Sequence, residues 1–196
     1  MDESEAAFVA HLEGMKVQAQ QWEQRELTAE ELADMRVPYV AGSGEDLVWK
    51  AIEVVFWKVP LDDPRMHELL TDGQRAVLAL WWTCSEVGNG GLHQFFLNST
   101  GYVLPEATAG AELLGEKELA NALRRASSYL GDPYPRDHEQ RALALAQLPD
   151  PGDAFWDEQD DAVYPTLERL AEDGLGEFIS ANPDQFFLPS ERDPGV

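Results

Sequence analysis

The chain has 196 residues, of which 37 are Asp or Glu and 14 are Lys or Arg, so its formal net charge at pH 7 is -23. A surface that holds nucleic acid phosphates or an anionic membrane needs clustered Lys and Arg, and this balance argues against both. Hydrophobic residues make up 44% and charged residues 26%, which is typical of a globular domain. The one cysteine, Cys84, excludes an internal disulfide. With no signal-peptide pattern and no apolar run approaching ~18 residues, the sequence predicts a cytoplasmic protein that is neither exported nor membrane-spanning.

Residues 1–41 are expected to form an N-terminal helical arm. Apolar residues within 2–25 recur at spacings of three and four, which is one stripe of an amphipathic helix. Thr28 and Glu31 have capping-box spacing, so a second short helix is expected to start there and to stop before Pro38. The residues of the stripe are Phe8, Leu12, Met15, Ala19 and Trp22.

Residues 45–185 are expected to form a single helical domain, followed by a tail over 186–196. Thr71 and Gln74 form another capping-box pattern, which predicts that a buried helix begins there and continues toward Val87, where Gly88 is expected to end it. No stretch alternates cleanly with period two, so the predicted fold class is all-α. The other helices are predicted over 45–58, 91–97, 105–114, 117–130 and 137–148, with a further pattern at Val163, Leu167 and Leu170. The β-branched residues within 45–58 leave a strand as the alternative there.

The most unusual run in the chain is residues 86–101, EVGNGGLHQFFLNSTG. It resembles the E-V-x-N-G-G-x-x-Q-F-F-x-N-S-x-G pattern of the bacterial DNA-mimic protein family, a group of acidic all-α proteins, and weaker similarity extends over about residues 45–185. Thr100 stands where a second Ser is expected. The resemblance implies a protein whose carboxylates imitate DNA phosphates and occupy the DNA-binding face of a transcriptional regulator or nucleoid-type protein.

The physical chemistry of this motif favours a structural role. Gly88, Gly90 and Gly91 allow φ > 0 or a close approach between two helices, which predicts a tight corner. A polar pocket is the alternative, in which Glu86, Asn89, His93, Gln94 and Asn98 converge and His93 acts as a general base. The motif residues given the structural role are Glu86, Asn89, Gly90, Gly91, Gln94, Phe95, Phe96, Asn98 and Gly101.

The sequence contains no pattern for a reaction, a cofactor or a metal. His67 and Glu68 lie near Asp62 and Asp63, yet they reproduce neither H-E-x-x-H nor the Asp-rich calcium loop. Cys84 falls within an apolar helical pattern, and it is expected to be a small core residue. The protein is therefore predicted not to be an enzyme, and no cofactor is expected.

The acidic residues are unevenly distributed, because residues 150–196 contain thirteen acids and two bases. Carboxylates three or four residues apart on a helix lie about 5 to 6 Å from one another, which is of the order of the phosphate spacing along DNA. Solubility alone also accounts for such a charge. The candidate partner-binding residues are Asp157, Asp160, Asp161, Glu168 and Glu172 near the C-terminus, and Glu23, Glu26, Glu30 and Asp34 in the arm.

The predicted function is binding of a basic DNA-binding protein in competition with DNA, without direct contact to nucleic acid or membrane. An inhibitor or immunity-type protein that covers a basic nuclease is the alternative, and an enzyme that uses the pocket of Glu86, His93 and Asn98 is a third class. The sequence leaves the oligomeric state open, a homodimer included.

Overall fold

A computed structural model describes residues 35–39, 42–58, 69–148 and 155–188 of the chain. The predicted arm helices within residues 1–34 lie outside these ranges. The four arm carboxylates, Glu23, Glu26, Glu30 and Asp34, lie outside them as well.

The described residues form an all-α domain, as the sequence predicts. They contain no β-strand, and an isolated bridge between Val37 and Phe187 pairs two extended segments. A 3₁₀ turn over Ser99–Val103 and a π-helical turn over Leu170–Gly174 connect helices, and a further 3₁₀ turn covers Pro183–Gln185. The helices are α1 Gly44–Lys58, α2 Asp72–Leu97, α3 Leu104–Leu113, α4 Lys117–Ser128, α5 His138–Ala146, α6 Asp157–Arg169 and α7 Leu175–Ala181.

Helix α2 is the centre of the fold, because α1, α3, α5 and α6 all pack against it. The predicted capping box at its start is confirmed: the Gln74 backbone N–H donates to Thr71 Oγ1, and the Thr71 backbone N–H donates to Gln74 Oε1, both at 3.1 Å. Each bond satisfies a backbone donor that the helix leaves free at its N-terminus. The helix α3 comes close to α2 at Gly110, where a Cβ would lie 3.0 Å from Ala76 Cα.

Both ends of the described chain join the same core. Val37 N–H donates to the Phe186 carbonyl at 3.0 Å, and Leu188 N–H donates to the Val37 carbonyl at 2.8 Å. The side chains of Met35, Val37, Phe186 and Phe187 are buried in one hydrophobic cluster with α1 and α2. The core therefore includes residues that the sequence assigned to the arm and to the tail.

The C-terminal helices differ most from the sequence prediction. The pattern at Val163, Leu167 and Leu170 does lie on a helix, but the chain stays helical as far as Ala181 through the π-helical turn and α7. Gly176 permits this packing, since a Cβ there would lie 2.9 Å from the backbone nitrogen of Gly44. The two glycines thereby bring the start of α1 against α7, a contact between distant parts of the chain that no local pattern indicates.

Candidate partner-binding surface and the motif corner

The family-like motif forms a kink inside α2. Gly90 and Gly91 have non-helical backbone angles, and the second half of the helix runs from Leu92 to Leu97, with Asn98 as its C-cap. Gly91 has φ of +70°, a region that side chains rarely adopt, whereas Gly90 has φ of -163°, which is extended backbone open to any residue. The predicted tight corner is present, and Gly91 is the position where its backbone requires glycine. We call Gly90, Gly91 and Leu92 the glycine corner.

The three glycines of the motif differ in what surrounds them. A Cβ at Gly91 would press into the carboxylate of Asp160, and one at Gly90 would meet the end of the flexible Gln94 side chain. Gly88 is exposed and has open space around its missing Cβ. The expectation that Gly88 takes part in the turn is therefore wrong, because α2 continues through it as regular helix.

The Glu86 carboxylate binds three side chains, and these four residues form the Glu86 cluster. Its Oε2 accepts hydrogen bonds from Gln94 Nε2 at 3.1 Å and from Asn98 Nδ2 at 2.7 Å. Its Oε1 accepts one from Thr100 Oγ1 at 2.7 Å, so Thr in place of Ser preserves the hydroxyl donor. The cluster ties together both halves of α2 and the turn that follows.

The alternative polar pocket is only partly assembled. Glu86, Gln94 and Asn98 do converge, but both oxygens of the carboxylate accept hydrogen bonds from amide and hydroxyl donors. Asn89 is exposed, His93 is half-buried, and the side chains that donate to Glu86 are those of Gln94, Asn98 and Thr100. The arrangement thus joins the two halves of α2 to the turn that follows.

Sequence reasoning missed a buried arginine beneath the motif. Arg141 on α5 is fully buried, and its guanidinium donates to the carbonyls of Phe96 at 3.0 Å, Asn98 at 2.7 Å and Ser99 at 3.3 Å, and to that of Arg136. The Phe96 and Asn98 carbonyls lie at the C-terminal end of α2, where the helix dipole is negative and carbonyls lack helical partners, and the Ser99 carbonyl belongs to the 3₁₀ turn that follows. Burial lowers the pKa of Arg141, while the negative charge of the Asp137 carboxylate opposes that shift.

The remaining motif residues surround this arginine. A Cβ at Gly101 would lie 2.5 Å from the Phe95 carbonyl and 3.0 Å from Arg141 Nε, so glycine leaves room for the guanidinium. Phe95 and Phe96 are fully buried, and the ring of Phe96 lies 5.1 Å from that of Trp156. One local signal points to Arg141: it lies four residues before Leu145 and therefore on the same face of the helix. In the structure these two are the buried residues of α5.

The predicted acidic residues near the C-terminus fall into two groups. Asp157, Asp161 and Glu168 are exposed on α6, and Glu172 is exposed on the π-helical turn. We call these four the acidic face. Asp160 is half-buried, and its Oδ1 accepts a hydrogen bond from the Leu92 backbone N–H at 2.7 Å.

Two clefts adjoin the acidic face on the side of α2. Glu168 and Glu172 border the first, together with the exposed ring of Tyr164 and the backbone near Cys84. The second has a volume of about 280 Å³, and Glu45 and Trp81 line it together with Glu172. Glu45 was not among the predicted residues, because only the contact between α1 and the C-terminal helices brings it beside Glu172.

Cys84 is a core residue, and the described residues hold no cluster of potential metal ligands. Cys84 is buried and donates a hydrogen bond to the Leu167 carbonyl at 3.3 Å, and burial raises the pKa of its thiol to about 12, as expected of a core cysteine. No group of three or more His, Cys, Asp or Glu side chains in the described ranges could hold a metal ion. Within the same ranges, no helix has the length and apolar character that a membrane span requires.

The comparison with protein families identifies the chain. The family described as DMP19-like protein matches residues 68–182, which is more than half of the chain, so the chain belongs to that family. It is a family of DNA-mimic proteins rather than of enzymes. The match includes the whole motif, the Glu86 cluster and the acidic face. Neither a curated protein nor a solved structure matches the chain significantly.

Proposed function

We propose that this member of the DMP19-like family binds a basic DNA-binding protein, a transcriptional regulator or a nucleoid-type protein, and thereby competes with DNA. The observation that carries the proposal is the acidic face: four exposed carboxylates at helical intervals on helices packed against the core. Family membership supports a DNA-mimic type of function, and the acidic face offers the charges with which a chain of this family can imitate phosphates. Because the partner binds DNA, we propose that the two proteins meet in the cytoplasm.

The local charge supports this assignment. Residues 155–188 contain nine acids and one base, Arg169, whose guanidinium lies 2.6 Å from the carboxylate of Glu116. A basic DNA-reading surface therefore meets almost unopposed negative charge here. Binding driven by Coulomb attraction weakens as salt screens the charges, so the affinity should fall steeply with rising ionic strength.

Charge reversal of the acidic face tests the proposal. The parent chain is immobilised, incubated with native lysate at low salt and eluted with duplex DNA, and the eluted protein is identified and purified. Replacement of Asp157, Asp161, Glu168 and Glu172 by Lys should abolish competition with DNA for that protein. The matched control reverses four exposed acids of other elements and should still compete: Glu112, Glu118, Asp132 and Glu139.

The outcomes separate the functional classes. A basic DNA-binding protein released by DNA supports mimicry, and a nuclease identifies the inhibitor class instead. If the acidic-face variant competes as well as the parent at about 0.15 M salt, where charges more than about 8 Å apart are largely screened, the acidic face is not the mimic. If the control variant loses competition equally, net charge alone accounts for the binding.

A further inference from the structure

Asp160 differs from the exposed carboxylates of α6 because its side chain faces α2 and not the solvent. The exposed members of the acidic face extend into solvent, whereas Asp160 is half-buried and accepts the Leu92 backbone N–H at 2.7 Å. Leu92 is the first residue of the second half of α2, and Gly91 before it occupies the N-cap position. The Leu92 N–H is one of the donors that a helix leaves without a backbone partner at its N-terminus, and glycine has no side chain to accept from any of them. The capping oxygen therefore comes from a different helix.

The glycine corner has the shape that this contact needs. Gly91 has φ of +70°, and the absent Cβ leaves the space that the Asp160 carboxylate fills. A carboxylate at a helix N-terminus is also favoured by the helix dipole. The glycine corner therefore leaves space for the Asp160 carboxylate, and it also changes the direction of the helix.

Helix α6 packs against α2 and α4 through apolar side chains, and polar contacts near both of its ends add direction to that packing. Val163 and Leu167 are its fully buried side chains, and Pro165 interrupts its backbone hydrogen bonding because proline has no N–H. At its other end, Arg169 pairs with Glu116 at 2.6 Å. A small rotation of α6 would move the carboxylates of the acidic face away from the direction in which a partner approaches.

We infer that Asp160 is a positioning residue, which fixes the acidic helix to the glycine corner of the family motif and does not itself imitate a phosphate. The inference rests on the proposed function, since the surface that it orients is the acidic face. It connects the motif, which is the most specific part of the sequence, to the carboxylates that meet the partner.

Two pairs of variants with equal charge test this role. Asp160→Asn and Asp160→Ala each remove one negative charge, but only Asn retains an oxygen that can accept the Leu92 N–H. Asp161→Asn and Asp161→Ala are the matched control at the neighbouring exposed position. Amide hydrogen exchange at Leu92 and along α6 reports the contact directly, without any partner. Competition with DNA for the protein isolated above reports its consequence for binding.

The Asp160→Ala variant should increase exchange at Leu92 roughly threefold to thirtyfold, as expected for a lost cap, whereas Asp160→Asn should stay near the parent. Competition should follow the same order, with Ala weaker than Asn at position 160 and the two equal at position 161. Equal binding losses for Asn and Ala at position 160 would mean that its charge meets the partner, which overturns the inference.

Unchanged exchange at Leu92 in the Ala variant would overturn the inference as well. A failure of the proposed function has a different result: the exchange pattern is as expected, but no variant of the acidic face alters competition. The two failures are therefore distinguishable.

Discussion

The motif corner and the acidic face are both rich in polar residues, but they use them in opposite ways. In the corner, Glu86 accepts three side-chain hydrogen bonds, and Arg141 donates to four backbone carbonyls. On the acidic face the carboxylates are exposed and have no hydrogen bond or ion pair with another described residue. Inward polar groups must be satisfied because water cannot reach them, whereas outward carboxylates remain available to a partner. Stability should therefore depend on the first region and binding on the second.

The largest effect is expected at Arg141. Arg141→Ala leaves the carbonyls at the end of α2 without their donor and opens a cavity, so it should lower the free energy of unfolding by about 3 to 5 kcal/mol. Arg125→Ala, at an exposed position on α4, is the control and should change it by less than about 0.5 kcal/mol. Urea unfolding measures both. A small loss at Arg141 would contradict the distinction between the two regions.

The next effect is expected at Glu86. Glu86→Ala removes the acceptor for three donors and should cost about 2 to 3 kcal/mol, because hydrogen bonds to a charged group are stronger than neutral ones. Glu86→Gln should cost less, since one of its two oxygens is retained. Glu118→Ala, exposed on α4, provides the comparison in the same urea titration. Equal midpoints for the Glu86 and Glu118 variants would show that the cluster adds no stability.

Gly91 and Gly88, at the corner and just before it, give a sharper test. Gly91→Ala forces a side chain into a backbone with φ of +70° and against Asp160, and should cost about 1 to 3 kcal/mol. Gly88→Ala places a methyl group in open space on regular helix and should be neutral or stabilising by up to about 1 kcal/mol. Thermal unfolding distinguishes the two. If both variants lose stability equally, the corner does not depend on the backbone of Gly91.

The smallest effect on stability is expected on the acidic face. Replacement of Asp157, Asp161, Glu168 and Glu172 by their amides should change the free energy of unfolding by less than about 0.5 kcal/mol each. Together they should stabilise slightly at low salt, because like charges near one another on a helix repel, and the gain should shrink as salt is added. Urea unfolding at low and high salt measures it. A large loss of stability would show that these carboxylates hold the fold.

Several elements could be predicted from local patterns because their causes are local. The capping box at Thr71 and Gln74 involves residues three apart, and the helices near 45–58 and 117–130 follow their apolar periodicity. The tight corner followed from the glycines, although Gly88 is not part of it. The helix after Leu170 was missed because its packing depends on the close approach of Gly176 to Gly44, far away in the sequence.

The sequence by itself determined that the chain is acidic and all-α and that carboxylates recur at helical spacing near its C-terminus, since charge and periodicity are properties of neighbouring residues. Only the tertiary structure decided which polar residues point inward. Asp160 and Asp161 are adjacent and chemically identical, yet one caps Leu92 and the other is exposed. Which of the two side chains faces α2 depends on how α6 packs against α2. Contacts between residues about seventy positions apart determine that packing.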